Sequence, residues 1–123
     1  MVETLCDSGS VKLHAGANVS GDLTPANYTT LINEAEGDMF AETQVDWVNI
    51  FSSLNVNYSK VVEQACAAKA AIPATKFDML SYNSVAEAMN VINTNLTIYD
   101  RAIKVLRDPE VIKAIGASLI DTS

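Results

Sequence analysis

The chain has 123 residues, of which 49% are hydrophobic and 19% charged. That is the size of one domain, long enough to bury a core without metal or disulfide staples, and too apolar to stay disordered. Eight lysines and arginines stand against fifteen acids, giving a net charge of −7. Such a surface does not grip the phosphates of DNA or RNA, although it can lie beside a duplex without binding it. No run reaches the roughly 18 apolar residues of a membrane span, so no membrane contact is expected. Residues 1–10 lack the basic-then-apolar order of a signal peptide, and secretion by that route is not expected.

Residues 1–23 read as a separate N-terminal arm. Ser8, Gly9, Ser10, Gly16 and Gly21 interrupt helical periodicity. Val11, Leu13 and Ala15 alternate with Lys12, His14 and Gly16, the period of a short strand. With no second strand to pair with, the arm is expected to lie extended, and Val11 and Leu13 are its candidates for contact with a neighbouring subunit.

A first helix starts at Thr24, a good cap, with Pro25 in the first helical position. Tyr28, Leu31, Ile32, Ala35 and Met39 fall on one face, and Asn33, Glu34, Glu36 and Asp38 on the opposite one. The helix is expected to end near Ala41. Glu34, Asp38 and Glu42 recur every four residues and form an acidic face, with Asp46 one step further on. Such a face is either solvated or a charged wall able to hold a divalent cation.

Asp46 caps a short segment in which Trp47, Ile50 and Phe51 point one way, laying the lone tryptophan over the end of the core. Another helix is predicted over 56–76, with Tyr58, Val61, Val62, Ala65, Ala68 and Ile72 as its apolar face. Its alanines let a neighbour approach closely. Pro73 is expected to kink or stop it near residues 70–72. Phe77, Met79, Leu80 and Tyr82 make a connecting corner.

The longest amphipathic element spans 84–107. Ser84 and Glu87 read as a capping box. Val85, Met89, Ile92, Leu96, Tyr99, Ile103 and Leu106 make one apolar seam, and Arg101, Lys104 and Arg107 suit the negative end of the helix dipole. Asp108-Pro109-Glu110 then repeats the start signal for a short last helix carrying Val111, Ile112 and Ile115, ended by Gly116. Leu119 and Ile120 follow in a tail. These elements predict an all-α chain: a small antiparallel bundle of three main helices over 24–107, two short helices, and the extended arm.

No motif announces a reaction. His14 and Cys6 lack the third group that a nucleophile pair needs, and no zinc or di-iron spacing, phosphate loop or nucleophile elbow is present. No catalytic residue, metal or cofactor is therefore assigned. Cys6 and Cys66 make one possible pair, but Cys66 among alanines suits a small buried hydrophobe, and free thiols are expected without a secretory signal. Asn-x-Ser/Thr sequons at Asn18, Asn27, Asn57 and Asn95 read as chance in a chain rich in Asn and Thr.

The helix Pro-Ala-Asn-Tyr-Thr-Thr-Leu-Ile-Asn-Glu-Ala-Glu resembles the first helix of head–tail connector (adaptor) proteins of tailed bacteriophages. The order that follows is similar to that family too: an aromatic short segment, the Ala65-Cys66-Ala67-Ala68 helix, the helix opening Ser84-Val85-Ala86-Glu87-Ala88, and the late Tyr99-Asp100-Arg101-Ala102-Ile103-Lys104-Val105-Leu106 run. The resemblance covers residues 24–107. It implies a non-enzymatic virion protein in the phage neck, present in the host cytoplasm during assembly. Subunits of that family form a homo-oligomeric ring, usually of twelve, beneath the portal protein. The ring extends the DNA channel toward a tail or stopper protein, and DNA passes without specific binding. It also implies that the C-terminal segment, with Pro109, Val111, Ile112, Ile115, Leu119 and Ile120, docks on the portal. The alternatives are another small virion or tail-completion protein, and an acidic regulatory protein that binds a host protein.

Overall fold

A computed structural model describes residues 5–16, 19, 21–77 and 84–115. The chain is all-α: among the described residues there are six helices and no strand. They are α1 (Ser8–Ala15), α2 (Pro25–Thr43), α3 (Trp47–Ile50), α4 (Val56–Phe77), α5 (Val85–Arg107) and α6 (Pro109–Ile115), with a 3-10 turn over Phe51–Ser53 after α3.

Local chemistry sets most of the boundaries. Thr24 Oγ1 accepts the Asn27 N–H at 3.2 Å, and the Asn27 side chain accepts the Thr24 N–H at 2.9 Å, a reciprocal cap at the start of α2. Asp46 accepts the Asn49 N–H at α3, and Ser84 accepts the Glu87 N–H at α5. Asp108 does the same for Glu110 at α6. At its far end α2 runs two residues beyond Ala41. It closes on Gln44, whose φ of 62° is left-handed and whose N–H donates to Phe40 O at 2.8 Å.

The N-terminal segment is not an extended arm. Residues 8–15 form α1, with Val11 and Ala15 fully buried in the common core. Asp7 Oδ1 accepts the Ser10 N–H at 2.9 Å and caps the helix. Gly16, at φ +91°, takes the C-terminal position and donates to Lys12 O. Ser8, Gly9 and Ser10 occupy the first turn, where small residues are tolerated. Val11 and Ala15 are four residues apart and share a helical face, which leaves Leu13 on the outside. The i, i+2 alternation of three apolar residues was compatible with either period; the caps decided for the helix.

α4 is the element that the others surround, packing against α5, α2 and α1. Ala65, Cys66, Ala67, Ala68, Ala70, Ala71 and Ala74 are all fully buried. These positions go round the whole circumference, as in a helix enclosed on every side. Filling this space with a larger side chain at Ala68 would cost about 1–3 kcal/mol. Pro73 neither stops α4 nor marks its end: the helix continues to Phe77. Burial of Ala70, Ala71, Ala74 and Thr75 on both sides of the proline holds the backbone helical despite the missing donor.

The alanines also roll α5. Its buried stripe is Ala88, Ile92, Asn95, Tyr99, Ala102, Ile103 and Leu106. Val85, Met89 and Leu96, expected in the seam, are 55%, 43% and 38% exposed. Ile92, Tyr99, Ile103 and Leu106 stay in the seam as expected, while the small Ala88 and Ala102 join it on the side that approaches α4 and Val85, Met89 and Leu96 move to its rim.

The predicted tryptophan cover is present. Trp47 is buried, and Ile50 and Phe51 pack against the core beside it. Met79, Leu80, Tyr82, Gly116, Leu119 and Ile120 lie outside the described residues, as do Asn18 and the side chain of Ile115.

Candidate interaction surface

The acidic face of α2 is solvated. Glu34, Asp38 and Glu42 are all exposed, and no group of three or more metal-ligating side chains forms among the described residues. Two of the three acids have protein partners. The Tyr99 hydroxyl donates to Glu42, and Lys69 Nζ lies 4.0 Å from Asp38. The same ammonium sits 4.8 Å from the centre of the Tyr99 ring. Burial, then the bond to Glu42, raise the Tyr99 phenol far above its ordinary range, so it stays a neutral donor. The half-exposed Lys69–Asp38 pair contributes less than about 1 kcal/mol.

Glu42 also joins an open groove of about 590 Å³, lined by Asp100, Ile103, Lys104, Arg107, Asp108 and Pro109. This groove brings together one residue of the acidic face and the first residue of the predicted docking element. Its cations, Lys104 and Arg107, face three carboxylates, so its charge is mixed. A second, smaller groove of about 290 Å³ lies between α1 and α4, with Leu13, His14, Lys60 and Glu63 on its walls.

Glu36 is placed differently from its expected polar side. It is buried, and its carboxylate accepts the Leu5 N–H at 2.8 Å. Desolvation outweighs that bond and raises its pKa. Helical spacing alone shows why: Glu36 follows Ile32 by four and precedes Met39 by three, on the buried side of α2.

Cys6 and Cys66, read as belonging to different settings, meet in the core. Both are free thiols and both are buried, with their sulfurs 3.3 Å apart. Hydrogen bonding to Cys6, then burial, push the Cys66 thiol far above its ordinary pKa. Cys6 thus contacts Cys66, while His14 Nδ1 engages Ser10 O at 3.0 Å. Asn95, the last sequon, is buried and donates to His14 O at 3.0 Å, so it is closed to a glycan.

The predicted contact residues divide. Val11 and Ile112 are buried in the chain's own core and offer no surface to a neighbour. Leu13 is 81% exposed, and Val111 is half-buried. Val85, Met89 and Leu96 lie at helical steps of four and seven, with buried Ile92 among them, and stay partly exposed on a side of α5 that the sequence pattern had assigned to the core. No helix among the described residues is long and apolar enough to cross a membrane.

No family model, characterised protein or solved structure matches the chain.

Proposed function

We propose that the chain is a structural virion protein, a head–tail connector of a tailed phage. It assembles as a homo-oligomeric ring beneath the portal, extends the DNA channel and meets the tail or stopper protein on its other side. The observation that carries this reading is the row of apolar residues Val85, Met89 and Leu96, left partly exposed on the longest helix. Apolar side chains aligned on one face of a folded subunit favour contact with another protein surface. The helix order over residues 24–107, which resembles the connector family, is its second support. The net charge of −7 per chain, repeated round a ring, makes a wall that repels the phosphates of passing DNA.

The buried positions of Val11 and Ile112 change which residues make the contacts. Subunit contact falls to the α5 stripe and Leu13. Portal docking falls to Pro109, Val111 and the segment after α6.

Electron microscopy of the purified protein mixed with its portal tests the proposal. The expected result is a ring seated on the portal. The double substitution Met89→Lys and Leu96→Lys should abolish the ring while leaving the subunit's melting temperature within a few degrees, because neither residue is in the core. A monomer that joins neither portal nor virion overturns the reading, and a position elsewhere in the particle makes the chain a tail-completion protein instead.

A further inference from the structure

Two thiols sixty residues apart in sequence lie with their sulfurs 3.3 Å from each other. A disulfide needs about 2.05 Å, so closure asks for a movement of roughly 1.3 Å. Cys66 is fixed on α4, at the centre of the fold. Cys6 lies just before α1, in a short non-helical stretch whose neighbour Leu5 is held to α2 by one hydrogen bond from its N–H to Glu36. The pair therefore joins the enclosed central helix to a short non-helical stretch.

We propose that Cys6 and Cys66 are a site of reversible oxidation, forming an intrachain disulfide with a small disulfide oxidant such as glutathione disulfide and locking the segment before α1 onto α4. One cysteine thiolate attacks a sulfur of the oxidant. The oxidant's S–S bond breaks, one glutathione thiolate leaves, and a mixed disulfide remains on the protein. The second cysteine thiolate then attacks the protein sulfur of that mixed disulfide and releases the second glutathione. The two cysteines lose two electrons and two protons, and glutathione disulfide becomes two glutathione thiols.

Both sulfurs are shielded from solvent, so the first attack follows release of the Leu5–Cys6 stretch. That release breaks the bond to Glu36 and uncovers Cys66 beneath it. The second attack takes place while the stretch is still released and both sulfurs are accessible, and the native 3.3 Å approach lets the segment reclose over the finished bond. The closed loop spans the whole of α1, α2 and α3 and half of α4, so the bond removes considerable freedom from the unfolded chain.

The test treats the folded, reduced protein with glutathione disulfide at mildly alkaline pH, followed by non-reducing peptide mapping, thiol counting after unfolding, and thermal melting. The expected results are a peptide cross-linked through Cys6 and Cys66, loss of both thiols, and a melting temperature raised by about 10 °C. Dithiothreitol should reverse all three. Cys6→Ser, which keeps a small side chain at the less enclosed position, should show no such rise. Thiols still free after unfolding, a persistent glutathione adduct, dimers linked between chains, or a cross-link without a rise in melting temperature would each overturn the proposal.

Discussion

Thr43 Oγ1 accepts the indole N–H of Trp47 at 2.7 Å, inside the core and across the turn from α2 to α3. The same hydroxyl donates to Met39 O at 2.7 Å and accepts the Val45 N–H at 3.3 Å. One donor and two acceptor sites are all that a hydroxyl has, and this one uses them all. Thr43→Val keeps the shape but leaves the buried indole N–H unpaired. It should destabilise the fold by about 1–3 kcal/mol, read as a lower denaturant midpoint with Trp47 fluorescence as the probe. Thr43→Ser, which keeps the hydroxyl, should cost clearly less than Thr43→Val.

Glu36 gives a pH dependence with a definite sign. Its folded pKa is raised above 4.5, chiefly by burial. Between that value and the folded pKa the native state binds more protons than the unfolded one, so this group's contribution falls as pH rises through the window. Glu36→Gln keeps an acceptor for the Leu5 N–H without a charge to desolvate. Relative to the parent, the Gln variant should gain stability as pH is raised from 4.5 toward 7. Denaturant melts at several pH values measure the difference, and a variant that loses ground over that range would contradict the assignment.

Pro73 lacks the N–H that would donate to Lys69 O inside α4. Pro73→Ala should stabilise the protein by about 1–3 kcal/mol, the gain being reduced by the greater freedom of the unfolded chain. A thermal melt shifted upward is the readout. A loss of stability would mean that the proline ring's packing outweighs the restored bond.

Gln44 holds a left-handed conformation at the end of α2, with its side chain amide donating to Ala41 O at 2.9 Å. Gln44→Val, whose branched Cβ fits that region poorly, should lose about 1–2 kcal/mol. Gln44→Gly should retain most or all of the stability, since glycine takes this geometry freely. Equilibrium unfolding of the pair separates backbone strain from loss of the side-chain bond.

Helix boundaries were legible wherever a cap sits beside an apolar period. Thr24-Pro25, Asp46, Ser84 and Asp108-Pro109 all mark starts that the fold uses. What the sequence concealed depended on neighbours. Residues 8–15 carry too few apolar positions to separate a period of two from one of four. The seam of α5 kept Ile92, Tyr99, Ile103 and Leu106 but lost Val85, Met89 and Leu96 to its rim, because α4 presents alanine, and that is a property of the partner helix. α4 is the centre of the fold, yet its small residues gave a weaker pattern than the strong stripe of α5. Glu36 was legible in hindsight from its spacing to Ile32 and Met39. The meeting of Cys6 with Cys66 was not, because it follows from how α1 and its preceding turn lie on α4.

The bond from the Asn95 amide to His14 O also bears on how the chain is made. It satisfies a carbonyl in the last turn of α1 with a donor 81 residues further on. During synthesis the first helix therefore emerges long before either α4, which buries Val11 and Ala15, or the asparagine that finishes its end. Docking of this opening segment must wait for more than two thirds of translation. Ribosome-stalled chains ending before α4 should leave α1 open to protease, whereas chains carrying α5 beyond the exit tunnel should protect it.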